Sequence, residues 1–447
     1  MDVEDISQYA IKQSESYWPD QIEAFTIKIK MKKFYYEGEG LSGFINNEWR
    51  GLGIKSVIDK RIGYSSGMIN KISDIKKIVE KSIKMARVSP KDKDFESLPP
   101  PTQISGSITD IFDKNMIYLD EEEIIKEASF LLNKAKEADI KITCGQVKLI
   151  QFEFNVMNSL GVNFSHKATN VFIFFQAMKE RGEGIVKAYS TTFRNINWDV
   201  LWQELYRRAK NASEAERIKG SHTVEVIIDP IDLSGLFSSY LRAANGEFIY
   251  QKRSPWINKL NEKVASESLT IIDDGRMPGG LMSALADDEG VPTKKKIIIN
   301  RGILESYYFD YYTARALDGE PTGNGFRRDT DIEDAHTKIA RSNLSNVEIL
   351  HGNKDKSELI EEIDFGLYID KFSKPIIRNI SGDFSLEIRN SFLIKNGEII
   401  NPISHVLLVG NIYDIMNKIT GIGKEPEMQC NFKLPAMRFE NLKLIGL

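Results

Sequence analysis

Twice in the first 217 residues the chain runs helix, several strands, helix, and this recurrence constrains the fold more than any single motif. Residues 2–16 read as a helix. Over residues 25–31, Phe25, Ile27, Ile29 and Met31 alternate with Thr26, Lys28 and Lys30, the period of a strand. A second strand begins near Phe34, and a hairpin spans 52–66 around Asp59-Lys60. Residues 72–86 close the unit as an amphipathic helix, with Ile75, Ile78, Val79 and Ile83 near one face. The order then returns: a helix over 120–138, strands around 146–154, 162–166, 170–178 and 184–190, and a helix from Trp198 to about Arg217.

Between the units, Ser89-Pro90-Lys91-Asp92-Lys93 and Pro99-Pro100-Pro101 argue against regular structure. The expected class is therefore α+β. An N-terminal sheet domain with helices covers 1–219, with repeats 1–88 and 119–219 from an internal duplication and a Pro-rich linker over 89–118. From residue 220 to 447 a C-terminal, mainly antiparallel β domain with a few helices is expected. Its first helix follows Asp229-Pro230, where Leu233, Leu236, Phe237, Tyr240, Leu241 and Ala244 form one apolar stripe. Hairpins are expected at Asn300-Arg301-Gly302 and at Asn396-Gly397, and a last strand over 434–445.

Composition limits the function classes. At 447 residues with 41% hydrophobic content, the chain is folded and too long for one core. A net charge of −4 supplies no basic field for nucleic acid. The run Lys294-Lys295-Lys296 reads as a solvated edge before a strand. Two cysteines exclude a disulfide framework and a CxxC zinc knuckle. No apolar run approaches the ~18 residues of a membrane span. The opening Met-Asp-Val-Glu-Asp is acidic where a signal peptide is basic, so a cytoplasmic protein is expected.

Two segments concentrate polar chemistry. Asp287-Asp288-Glu289-Gly290 places three carboxylates before a turn, able to hold a cation or a substrate amine, or to form a plain acidic loop. Pro321-Thr322-Gly323-Asn324-Gly325 lets backbone approach a ligand closely, or forms a surface turn. The expected substrate contacts are Asp287, Asp288, Glu289, Thr322, Gly323, Asn324 and Gly325. The five histidines show no HExxH or HxH spacing, and none lies between His222 and His336. Cys430 reads as a packing thiol more readily than as a nucleophile.

Taken in order, these segments resemble the TldD/PmbA family, also named as modulators of DNA gyrase. Gly51-Leu52-Gly53-Ile54 and Arg61-Ile62-Gly63-Tyr64-Ser65-Ser66 are similar to its N-terminal hairpin. The Asp287–Gly290 and Pro321–Gly325 segments resemble its central signature. Ser381-Gly382-Asp383-Phe384-Ser385, Asn396-Gly397-Glu398, Gly410-Asn411 and Gln429-Cys430 resemble its C-terminal series. The resemblance implies one of two subunit kinds. The TldD kind holds zinc through an HExxxH helix and a later cysteine, with the glutamate as general base, and cleaves unfolded peptides. The TldE (PmbA) kind lacks that site and pairs with TldD.

Carried onto this chain without gaps, the motif falls on the helix after Asp229, with Phe237 and Ser238 at the His-Glu pair and Arg242 at the second histidine. That helix has no histidine in any register, and an arginine is not a zinc ligand. Cys430 alone cannot hold a catalytic zinc, and without zinc nothing lowers the pKa of water from ~15.7 towards ~7. The expectation is thus a TldE-like, non-catalytic subunit with no cofactor of its own, the zinc residing in a TldD-like partner. Its partners would be that subunit in a heterodimer, or a second copy in a homodimer, and an unfolded peptide, without nucleic acid or membrane. The alternatives are a self-sufficient homodimeric peptidase with another mechanism and a regulatory binding protein.

Overall fold

The alternating stretch at residues 25–31 belongs to an 18-residue strand, β1 (Gln21–Gly38), at the centre of a six-stranded antiparallel sheet. The structure, a computed structural model, describes residues 1–373, 377–378 and 380–446. The sheet comprises β1, β2 (Gly40–Ile58), β3 (Arg61–Met68), β4 (Lys141–Asn158), β5 (Asn163–Lys179) and β6 (Gly182–Ser190) in the order β3-β2-β1-β4-β5-β6. Helices α1 (Val3–Ser14) and α2 (Ile72–Val88) belong to the first half, α3 (Glu121–Glu137) and α4 (Trp198–Ser213) to the second. The second unit has three strands where four are expected. β5 runs through residues 167–169, because its ladder with β4 continues there.

Both faces of β1 are used. Phe25, Ile27, Ile29 and Met31 pack with Phe152, Phe154, Ala286 and Ala335, which ties this face to the C-terminal half. Ile22 and Ala24 face α1 and α2, while Phe34 and Tyr36 join the core under α3 and α4. The edge strands meet their closing helices in matching ways. A Cβ on Gly63 would lie 2.1 Å from the Ser82 carbonyl and 2.2 Å from the Ala86 nitrogen, and one on Gly184 would lie 2.5 Å from the Leu205 carbonyl and 2.7 Å from the Ala209 nitrogen. Each glycine is the third residue of its strand, and each contact spans one turn of helix ending in alanine.

Residues 89–115 contain no named helix or strand, yet Phe95 and Leu98 are buried and the Leu98 N–H donates to Gln21 Oε1 at 2.6 Å. The Pro-rich segment is packed structure, not a free tether.

In the C-terminal half five strands close a ring. Ser221–Ile228 pairs with Met437–Gly446, then come Val406–Asn411, Asp383–Lys395 and Phe365–Phe372, which pairs back onto Ser221–Ile228. All of these pairings but the last are antiparallel. At Asn396-Gly397 both residues have positive φ and Lys395 pairs with Glu398, as the hairpin signal predicts. The last strand begins at Met437, after a separate short strand Phe432–Leu434.

A second six-stranded sheet contains Ile271–Asp274, Lys295–Asn300 and Phe432–Leu434. Lys296 corrects the solvated-edge expectation: it is buried and binds Asp273 at 2.7 Å. Among the described residues no helix is long and apolar enough to cross a membrane.

Candidate functional site

Helix α5 (Pro230–Leu241) starts where Asp229 caps it and Pro230 occupies its first turn, which needs no N–H there. Leu233, Leu236, Phe237, Tyr240 and Leu241 are all fully buried in the main C-terminal core. The remaining face presents Ser234, Gly235 and Ser238, which line a cavity of about 390 Å3. Opposite lies Cys430, in the turn between strands Glu427–Gln429 and Phe432–Leu434, with Asp329, Thr330 and Asn343 completing the wall.

Cys430 has a left-handed φ of 62°, which sets its side chain outside both flanking strands. Its Sγ donates to Thr330 Oγ1 at 3.1 Å. Burial pushes the thiol pKa up, and this outweighs the hydrogen bond and the Lys187 charge that act the other way. Burial likewise raises Tyr189 and lowers Lys187, both on β6. Thr330 also lines an adjoining cavity of about 430 Å3 against the sheet, beside Lys33, Lys148, Tyr189 and Glu333. Lys148 binds Glu333 at 3.1 Å, which pins this loop to β4. The two cavities adjoin at Thr330 and give a groove with the α5 serines and Asp329 at one end and Lys148 with Glu333 at the other.

The residues expected near a zinc motif separate in space. Ser238 and Cys430 face one cavity, Phe237 lies in the core, and the Arg242 guanidinium sits over the Phe248 ring at 5.9 Å. The helix face that meets Cys430 is the Ser234, Gly235 and Ser238 face.

The acidic cluster and the glycine loop are brought together, but inside the protein. Asp287 and Asp288 are fully buried, and Glu289 is 2% exposed. Asp287 accepts the N–H groups of Glu289, Val291 and Gly325. Asp288 accepts those of Arg327 and Arg328, and the Arg328 Nε at 2.8 Å. Gly323 and Gly325 serve close packing: a Cβ would lie 2.4 Å from the Pro292 carbonyl in one case and 2.2 Å from Glu289 Oε2 in the other. Thr322 Oγ1 donates to Asn324 Oδ1, and Asn324 Nδ2 donates to Asp273 and to the Asn343 carbonyl. Asp287, Asp288, Gly323, Asn324 and Gly325 are buried and form an internal clamp, with Thr322 half-buried at its edge. Glu289 also lines a cavity, one separate from the Cys430 groove.

The clamp's counterions carry little sequence signal. Arg327 and Arg328 are almost fully buried, and Arg327 bonds Glu23 on β1. Their adjacency to a glycine loop is the one hint in the sequence. Burial and the neighbouring Glu289 charge hold Asp287 well above the ordinary carboxylate range. Burial pushes Glu289 up to about 7 against the opposing charge of Lys55.

A ring of five strands is thus joined to a helix-covered sheet, and one face of α5 meets Cys430 at a shared cavity. Residues 221–446, just over half of the chain, match the family model of the PmbA/TldA metallopeptidase C-terminal domain, and the chain belongs to that family. The metalloprotease TldD homologue of Buchnera aphidicola subsp. Acyrthosiphon pisum is 32% identical over 215 residues, 45% of this chain and 43% of that protein. The chain thus matches less than half the length of that relative. A metalloprotease of Methanocaldococcus jannaschii is 28% identical over 92% of this chain and 89% of its own. The crystal structure of TldE from Thermococcus kodakarensis has a TM-score of 0.90 at 24% identity, covering 98% of this chain and 99% of that one, which shows a shared α+β fold. The family resemblance read from the motifs is borne out.

A metallopeptidase family implies a metal, and a catalytic zinc takes three protein ligands from Cys, His, Asp or Glu. Here the helix face offers two serine hydroxyls and a glycine. The thiol opposite can supply one ligand, because zinc displaces a thiol proton on binding. Asp329 is the one carboxylate in the cavity wall, and among the described residues no three Cys, His, Asp or Glu side chains cluster as a metal site. These residues do not fit a catalytic zinc.

Proposed function

We propose that this chain is a TldE-type, non-catalytic subunit that pairs with a TldD-type zinc metallopeptidase and helps hold unfolded peptides for cleavage. The observation that carries this reading is the α5 face opposite Cys430, where Ser234, Gly235 and Ser238 stand in place of zinc-binding side chains. The fold shared with a protein named TldE and the relatives named as TldD and PmbA homologues support it. The peptide would lie in the groove at Thr330, where backbone pairing gives affinity with little sequence preference. A self-sufficient hydrolase built on Cys430 has less support, because burial disfavours the thiolate and no histidine lines the cavity.

The test is co-expression with the TldD-like protein of the same organism, followed by measurement of complex formation, zinc content and casein cleavage. A stable heteromer, with zinc confined to the partner and cleavage only by the pair, is expected. Stoichiometric zinc in this chain alone, or chelator-resistant cleavage by it alone, would overturn the reading.

A further inference from the structure

A second cavity, of about 320 Å3, lies between β2 and the C-terminal half, and Lys55, Glu289 and Asp310 share its wall. It has no lining residue in common with the Cys430 cavity. All three side chains are more than nine-tenths buried. The Lys55 ammonium stands 3.5 Å from Glu23 and 3.7 Å from Glu289, both beyond the usual length of an N–H···O bond, and makes no shorter polar contact among the described residues. Glu289 Oε2 accepts the Tyr311 N–H at 2.8 Å, which leaves Oε1 with only the distant Lys55. Asp310 spends Oδ1 on Thr313 and Ser342, and Oδ2 has no donor among the described residues.

None of these three atoms is sealed inside the protein, so each faces the cavity and is open to a ligand in place of water. Water could fill the space, which far exceeds the ~10–15 Å3 that a single water needs. The rest of the wall is apolar at Phe95 and Leu98, and its other charges are already engaged, Asp92 by Tyr312 and Glu247 by Arg341. Apolar walls around a few convergent polar groups, in a volume of ~300 Å3 or more, are the usual form of a small-molecule site.

The polar groups come in both signs, and this selects the ligand. An amine alone leaves Lys55 without an acceptor, and a carboxylate alone leaves Glu289 and Asp310 without a donor. A peptide carries its two charged termini far apart. An α-amino acid carries both on one carbon and adds no net charge to the cavity.

We propose that this cavity binds a free α-amino acid with a large apolar side chain. Its carboxylate meets Lys55, its ammonium lies between Glu289 and Asp310, and its side chain lies against Phe95 and Leu98. Exposed Ile339 and Arg341 mark the mouth. The site does not depend on which subunit hydrolyses peptides.

The test is calorimetric titration of the full chain with L-phenylalanine, 2-phenylethylamine and 3-phenylpropionate. Phenylalanine should bind one per chain, with each single-charge analogue at least about tenfold weaker, the discrimination expected when buried polar groups are left unpaired. Lys55→Met should weaken phenylalanine binding by a similar factor. Because Lys55 is buried, Ile339→Trp at the exposed mouth serves as the variant that keeps the fold, and it should also weaken binding. Absence of binding at millimolar phenylalanine would overturn the proposal, as would equal binding of phenylethylamine. Binding untouched by Ile339→Trp in a folded variant would place the ligand elsewhere and overturn it too.

Discussion

Arg208 on α4 donates from Nε and Nη2 to the carboxylate of Asp370 on the ring strand Phe365–Phe372, at 3.1–3.3 Å, with both side chains buried. This pair ties the helices of the N-terminal sheet to the C-terminal ring, and Arg207 adds a second guanidinium at 3.1 Å.

Removing one partner leaves the other charge buried and alone. Asp370→Ala should therefore cost about 3–5 kcal/mol, and the apolar double replacement Arg208→Met with Asp370→Leu should recover most of it. Urea unfolding at pH 7 reads both. Burial pushes the Asp370 pKa up, but Arg208 and Arg207 more than reverse this and leave it below the ordinary value of 3.8. The pair's contribution is thus present above that value and is lost as pH falls through the depressed one. Acid unfolding of wild type should show this loss, and Asp370→Ala should not.

Glu289 carries the opposite sign. Its folded pKa of about 7 lies above the ordinary glutamate value of 4.5, so the folded state binds its proton more tightly. On this account wild-type stability falls as pH rises from about 4.5 to about 7 and stays low above it. Glu289→Gln cannot ionise, so its melting temperature relative to wild type should rise between pH 5 and pH 8. A difference that stays flat or runs the other way contradicts the buried, proton-holding carboxylate.

Asp288 binds two backbone N–H groups and the Arg328 Nε at once, with no solvent to replace it. Asp288→Ala should cost about 3–5 kcal/mol by leaving Arg328 buried without its partner. A loss below about 1 kcal/mol in denaturant titration would mean the clamp is dispensable.

The two thiols should react at different rates. Cys144 is exposed, whereas Cys430 is partly buried and its thiol is pushed up by burial. Iodoacetamide at pH 8 should label Cys144 first, since the thiolate is the reactive form. Peptide mass spectrometry over time reads the order, and faster labelling of Cys430 would count against its protonated state.

Much of the fold is legible in local pattern. The α5 stripe predicts all five residues that enter the core within the helix, and Asp59-Lys60 turns a hairpin with positive φ at both positions although neither is glycine. The break expected in β5 fails because pairing with β4 overrides the local signal at residues 167–169. The groove is half legible. Cys430 and Ser238 do share it, but the helical face that meets the cysteine depends on how α5 rotates against the core, which no single-residue property states.

Period and turn chemistry act within a few residues, so the sequence by itself determined the five long helices, most strands of the N-terminal sheet and the order that occurs twice. It also determined that α5 holds no imidazole, whatever its surroundings. Whether Asp287, Asp288 and Glu289 face a ligand or the interior was decided only by tertiary structure. Their partners Gly325, Arg327, Arg328 and Tyr311 lie 22–40 residues away, and Lys55 and Glu23 come from the opposite end of the chain. A carboxylate in a sequence is solvated or buried according to charges that only folding brings within 4 Å, and here folding brought two buried cations, Lys55 and Arg328, to them, while Arg327 bonds Glu23.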